Sequence, residues 1–204
     1  RVGFKAQRFS AVYKRDAQGN ALEQALQSLA EEVEAAVAQG ISIIVLSDRA
    51  DAGEVPIPSL LAVAAVHNHL IRVGKRTFAD IVIETGDALS AHDFAALVGY
   101  SASGIYPYMA HECIAHLAQT GQLSVSAEKG IANYNKAVMA GIMAIMSKMG
   151  ISTVQSYHSA QIFEAVGFTQ EFIDRYFAGT VSRVGGLGVA EVQREENQRY
   201  DDAV

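Results

Sequence analysis

The chain has 204 residues, half of them hydrophobic and 19% charged, which is enough apolar material for a substantial core and too much for a disordered or low-complexity chain. Lys and Arg number 16 against 22 Asp and Glu, a net charge of −6. That balance argues against a nucleic-acid surface, because phosphate binding needs clustered positive charge.

In chain order, Arg8 to Tyr13 mixes apolar and polar residues as a short strand does. Asp16 to Asn20 is a turn cluster, and Asn20 is placed to cap the helix that follows. From Ala21 to Gln39 apolar residues recur every three or four positions, an amphipathic helix closed by Gly40. Ile41 to Leu46 is a continuous β-branched run, which belongs in the middle of a parallel sheet. The unit then repeats. Ser59 to about Val73 is a helix closed by Gly74, Asp80 to Glu84 a second buried strand, and His92 to Val98 a helix. Gly104 to Tyr108 reads as another short strand, with Ala110 to Gln119 helical after it. Strands and helices alternating at this spacing predict βαβ units and a parallel sheet.

The last third is richer in helix. Asn133 to Met149 has few polar positions, so a helix buried on most sides is expected, with Met139, Met143 and Met146 forming one adaptable core stripe. Ile151 to Gln155 suggests a short strand, and helices are expected near Ala160 to Val166 and Gln170 to Phe177. Gly179 to Gly188 reads as a flexible loop, and the charged stretch from Glu191 to Val204 as a nearly core-free helix or linker beyond an α/β domain of residues 1–190.

Candidate chemistry is sparse. Cys113, the single cysteine, cannot by itself form a disulfide, a structural zinc site or an iron–sulfur cluster. His67 and His69 are two apart on one helix and so point ~200° away from each other, which disfavours a shared metal. Gly99 to Gly104 lacks the lysine of a phosphate loop, and Gly185 to Gly188 follows a helix rather than a strand, so neither is a nucleotide fingerprint. Glu84, Thr85, Tyr106, Tyr108, Ser156 and Tyr157 all fall at the carboxyl ends of expected strands, the edge on which α/β sheets and barrels build their sites. They form the candidate pocket; their other reading is helix capping and loop satisfaction. No apolar run reaches the ~18 residues of a membrane span. The first residues lack the apolar core of a signal peptide, so a cytoplasmic chain with no membrane partner is expected. It does not begin with methionine, which suggests a piece cut from a longer protein.

Several segments resemble one family. Lys148-Met-Gly-Ile-Ser-Thr-Val-Gln-Ser-Tyr157, Ala160-Gln-Ile-Phe-Glu-Ala-Val-Gly167, Tyr176-Phe-Ala-Gly-Thr180 and Ser182-Arg-Val-Gly-Gly-Leu-Gly188 resemble the large chain of glutamate synthase. Val45 to Arg49, Pro56 to Pro58, Ala65 to His67, Ile83 to Gly86 and Tyr106 to Tyr108 agree in order, so the likeness runs from about Lys5 to Leu187. It points to the later portion of that enzyme's central domain, which joins an amidotransferase domain to an FMN-binding barrel. The resemblance implies a rudimentary or partial TIM-barrel-like α/β domain and a connecting role without catalytic, cofactor-binding or metal-binding residues of its own. FMN and an iron–sulfur cluster are expected elsewhere in the full-length enzyme. The implied partners are the amidotransferase and FMN-binding domains of the same chain, with a small subunit or ferredoxin beyond them. The implied reaction of the whole enzyme takes glutamine, 2-oxoglutarate and reductant to two glutamates. Where the family often has two adjacent histidines this chain has His92-Asp93, which puts any role needing both imidazoles in doubt. The alternative is a stand-alone half-barrel binding a small molecule or phosphate; a partial flavin protein is a weaker third.

Overall fold

The computed structural model describes residues 3–15 and 19–203. Of the turn expected over Asp16 to Asn20, residues 16–18 lie outside the described residues. Parallel strands Ala6–Ser10 (β1), Ile43–Ser47 (β3), Asp80–Glu84 (β5) and Gly104–Tyr106 (β6) form one sheet in the order β1-β3-β5-β6. Val12–Lys14 (β2) and Glu54–Pro56 (β4) pair antiparallel beside it. Helices Ala21–Ala38 (α1), Ser59–Arg72 (α2) and Ala91–Gly99 (α3) connect successive strands of the main sheet. A strand order that always advances in one direction, joined by right-handed crossovers, puts every connecting helix on the same face. The result is an open four-stranded parallel sheet with its connecting helices on one face, the α/β architecture expected.

The strand registers show what that costs the other face. Phe9, Leu46, Ile83 and Ile105 form one row toward the helices, and Ile44 and Ile81 another; Phe9, Ile44, Leu46, Ile81 and Ile83 are buried. On the opposite face Arg8, Val45, Val82 and Gly104 are aligned, as are Ser10, Ser47, Glu84 and Tyr106. Of these only Ser47 is buried, and Tyr106 is 47% exposed. The apolar run Ile41–Leu46 is therefore a parallel strand as its composition predicts, yet only one of its faces is packed among the described residues.

Tyr108–Gln119 (α4) and Ala127–Lys148 (α5) pair with each other, and α5 also lies on α3. The expectation that α5 is buried on most sides fails. Met139 and Met143 are 65% and 66% exposed, while Val138 and Met146 are the buried residues of the helix. Close contact is made instead through glycine: a carbon added at Gly141 would stand 2.5 Å from Ala91 Cβ, and one at Gly130 2.7 Å from Ile114 Cγ2. The methionine stripe is split by its cover. Met146 packs with Ala95 and Tyr157, whereas Met139, two turns earlier on the same side, is left open.

After α5 the structure departs again from the sequence pattern. The strand expected at Ile151 to Gln155 is absent; Val154–Tyr157 (α6) is one helical turn, capped by Thr153 Oγ1 accepting from Ser156 N. The helix expected at Ala160 to Val166 is an extended loop with Gln161 at φ 52°, running into Glu164–Ala165 (β7). β7 pairs with Val181–Ser182 (β8), so the glycine-rich stretch expected to be a flexible loop is partly held as strand, with Gln170–Tyr176 (α7) between them. The charged tail is Val189–Ala203 (α8). It is more deeply seated than a nearly core-free segment: Gln193 is 1% exposed, and Val192 and Tyr200 pack against the main core. Asn20 makes no side-chain cap on α1; Gln193 Oε1 accepts from Leu22 N at 2.8 Å and supplies that bond from the far end of the chain.

Candidate functional site

The carboxyl edge of the sheet gathers four of the six expected residues. Glu84 ends β5, Thr85 follows it, Tyr106 ends β6, and Tyr108 opens α4 behind Pro107. Glu84 Oε1 accepts from Arg49 Nε at 2.8 Å, and Oε2 accepts from Ser47 Oγ at 2.7 Å and lies 2.8 Å from Arg8 Nη2. The Arg49 guanidinium carbon also sits over the Tyr108 ring, 3.7 Å from its centre, and Arg49 Nη2 donates to Glu112 Oε1 at 3.1 Å. Burial alone would raise the Glu84 carboxyl, but the hydrogen bonds from Arg49 and Ser47 and the Arg8 charge hold it below its usual range.

Beside this ion-pair row, Asp48 is 3% exposed. Its Oδ2 accepts from Thr85 Oγ1 at 2.6 Å and from Gly86 N at 2.9 Å. Burial raises its pKa, and the bonds from Thr85, Gly86 and Tyr108 oppose that rise. The Tyr108 hydroxyl is pushed up by burial and by the neighbouring Asp48, so it stays protonated as a donor. These bonds tie the loop after β3 to the loop after β5 and leave the edge rigid.

A cleft of about 590 Å³ opens next to Asp48, Gly86 and Tyr108 and is closed on its far side by Glu196, Arg199 and Tyr200 of α8. Asp48, Asp51, Glu54, Asp87 and Glu196 line it against one cation, Arg199. That charge disfavours a phosphate, as does Gly86 N, already spent on Asp48. The FMN phosphate does not fit this edge for the same reason. An iron–sulfur cluster does not fit either, since clusters are held by several thiolates and the chain has one cysteine.

Ser156 and Tyr157 are not part of this edge, because the strand that would have carried them is the turn α6. Ser156 bonds to Thr153 Oγ1, and Tyr157 is fully buried against Ala95 and Met146 on the helical side. Conversely, Ser47, Asp48 and Arg49 were missed as site residues. The same strand-end argument applied to β3 identifies them.

A second polar cluster lies at the opposite end of the sheet. Arg76 Nε donates to His67 Nδ1 at 2.8 Å, which places the ring proton on Nε2, facing Ser159 Oγ at 3.1 Å. Ser159 and Ser101 share a 2.8 Å hydroxyl bond, and both sit at positive φ, 56° and 76°. A serine beside a histidine suggests a nucleophile and its base, but a protonated Nε2 cannot take the serine proton. The cluster is structural. Burial, then the charges of Arg76 and His158, lowers the His67 pKa to about 4.

Among the described residues no group of three or more His, Cys, Asp or Glu is arranged to hold a metal ion, and no helix is long and apolar enough to cross a membrane. Comparison with known proteins is specific. Residues 1–169 match the model of the glutamate synthase central domain. The chain is 43% identical over 200 residues to the glutamate synthase [NADPH] large chain of Bacillus subtilis, covering 98% of this chain and 13% of that protein. It is 45% identical over 186 residues to the ferredoxin-dependent glutamate synthase of Pyropia yezoensis, with 85% and 12% covered. It is 37% identical over 204 residues to the glutamate synthase [NADPH] large chain of Azospirillum brasilense, with 99% and 14% covered. The chain thus spans about one-eighth of the length of these relatives, and it belongs to the glutamate synthase central-domain family.

Proposed function

We propose that this chain is a connecting domain of a glutamate synthase large chain, holding an amidotransferase domain and an FMN-binding domain in fixed relation while the chemistry takes place in them. The observation that carries this reading is the open face of the parallel sheet. Parallel sheets are packed on both faces almost without exception, yet Val45 and Val82 stand at the centre of a face that no described element covers. Relatives that carry this segment as about one-eighth of their length have the remaining mass to cover it. The edge built on Asp48 and Glu84, with Glu84 ion-paired to Arg8 and Arg49 and Asp48 hydrogen-bonded to Thr85 and Gly86, suits a fixed strut better than a catalytic centre.

A scaffold matters to the implied reaction because free ammonia released from glutamine is lost to solvent unless the domains are registered around a closed path. Glutamine hydrolysis, reduction and FMN binding then belong to other parts of the large chain, and the reductant, whether NADPH or ferredoxin, delivers its electrons outside this segment. The cytoplasm is the compartment we assign to it.

The test uses Val82→Lys. In the 204-residue chain the substitution lies on the open face and leaves the unfolding midpoint close to wild type. In the large chain containing this segment it separates the two half-reactions, so that glutamine is hydrolysed without stoichiometric glutamate formation from 2-oxoglutarate. Wild-type coupling in the Val82→Lys large chain overturns the reading. So does flavin at full occupancy in the isolated 204-residue chain.

A further inference from the structure

We infer that the outer face of α5 docks an acidic segment of the large chain lying outside these 204 residues, its carboxylates against Lys129 and Lys136 and its apolar end on Met139 and Met143. The inference takes from the connecting-domain reading only that a large chain supplies the occupant, and it concerns a face separate from the open sheet.

α5 meets α3 and α4 through Val138, Met146, Gly130 and Gly141, which leaves its other side uncovered. At 100° per residue, Lys129, Ala132, Lys136, Met139, Met143 and Ser147 fall within an arc of about 80°, a line about 27 Å long. All six are exposed, Met139 and Met143 by 65% and 66%. The line has two halves of different chemistry. Its N-terminal half carries both lysines, and its C-terminal half is apolar. Neither lysine forms an ion pair among the described residues. Glu128 is the only acid of the helix, and the helix N-terminus adds its own partial positive charge beside the lysines. This strip is therefore positive in a chain whose net charge is −6.

The two halves decide what fits. Lys129 and Lys136 stand about 10 Å apart along the helix axis, more than a Debye length at physiological salt, so one carboxylate cannot serve both. An occupant with two acids at that spacing and apolar side chains beyond them matches the whole line, in the way anchors spaced along a helix face are read. Ala132 leaves room for close approach between the lysines, and methionine adapts its shape to what it meets. A second copy of α5 would set lysine against lysine and double the charge. A lipid surface takes a helix whose apolar face carries Trp, Phe or Leu apart from its cations, whereas here the lysines share one line with two methionines. The relatives are about eight times longer than this chain, and a segment tethered within one chain meets this face at an effective concentration on the order of millimolar. A contact one helix face wide is enough under those conditions.

Peroxide footprinting of the large chain containing this segment, read by mass spectrometry, tests this, because methionine oxidation follows exposure. In the wild-type chain Met139 and Met143 are expected to oxidise about tenfold slower than N-acetylmethionine amide in the same solution. The double variant Lys129→Glu/Lys136→Glu, at two exposed positions, is expected to bring both within about threefold of that free rate, while the buried Met146 stays slow and marks an intact helix. A zero-length carboxyl-to-amine cross-linker should join Lys136 to an Asp or Glu of the same large chain outside residues 1–204. The proposal is overturned if Met139 and Met143 oxidise at the free rate in the wild-type chain, or if the double charge reversal leaves them protected. It is equally overturned if Lys136 cross-links only to a second copy, or if protection appears only when phosphatidylserine vesicles are added. Val82→Lys reports on the open sheet and this experiment on α5, so the failure of one reading is distinguishable from the failure of the other.

Discussion

Helix α2 buries ten of its 14 residues, among them Leu61 to Asn68 without a break, whereas α5, with 22 residues, buries only Val138 and Met146. Both are rich in Ala, Val, Ile and Met or Leu, and their sequences invite the same reading. Their positions differ. α2 is the middle of three helices on the sheet and is covered again by α7, so it meets protein along most of its length and opens to solvent only in its last turn, at Ile71 and Arg72. α5 lies outside α3 and α4 and is touched along one flank. An apolar helix shows how much surface it is able to bury; what comes to lie over it decides how much it does bury.

The contrast is broken or sharpened most forcefully by putting one charge in each helix. Val66 is fully buried, so Val66→Lys is expected to cost about 4 kcal/mol or more, because an ammonium there has no partner. Chemical denaturation reads this directly, and a variant with the wild-type midpoint would show that α2 is not enclosed.

A smaller effect should come from acid, again on α2. With the His67 pKa at about 4 in the folded protein, against 6.5 for an ordinary histidine, the unfolded chain binds the proton first. Stability from this group is complete above pH 6.5 and falls as the pH drops from 6.5 toward 4, by an amount on the order of 3 kcal/mol. The groups around it, Arg76, His158 and Ser159, offer the imidazolium no anion. His67→Gln is expected to flatten this part of the pH profile of the unfolding midpoint; an unchanged slope would place the titration elsewhere.

Least of all is expected from Met143→Lys in α5. At 66% exposure the substitution should change stability by less than about 0.5 kcal/mol, where an enclosed stripe would lose several. A large loss would mean that the isolated chain covers α5 with something the present packing does not contain.

These helices also mark where the sequence stops being informative. Periodicity located β3, β5, β6, α1 and α2 because each is decided locally, by a short apolar run or by an amphipathic repeat ending at Gly40 and Gly74, whereas the single strand expected at Arg8 to Tyr13 proves to be the end of β1 and the start of β2, which lie in different sheets. Four of the six proposed edge residues followed from those strands. Ser156 and Tyr157 were misplaced because Ile151 to Gln155 has strand-like composition, while the actual turn is set by the Thr153 cap and by Tyr157 filling a hole beside Ala95 and Met146. The loop at Ala160 to Phe163 has helical spacing, but Phe163 stacks on Tyr100, 63 residues earlier in the chain, a contact no local pattern contains. Arg49 and Asp48 were legible in principle. Their partners, Glu84, Tyr108 and Thr85, are the residues the strand-end argument did pick out.

The glycines of α5 invert the usual map of mutational tolerance. A hydropathy plot marks Met139 and Met143 as the residues to protect, and Gly130 and Gly141 as the weak links of the helix. With Ala91 Cβ already standing where a first side-chain carbon would go, Gly141 admits no other residue without moving α3, and at Gly130 any side chain must displace the Ile114 side chain. As far as the fold is concerned, sequence drift along this helix is therefore free where the side chains are large and restricted where there is none. A family of such domains can vary the outer surface of α5 to suit what docks there without altering the angle at which it crosses its neighbours.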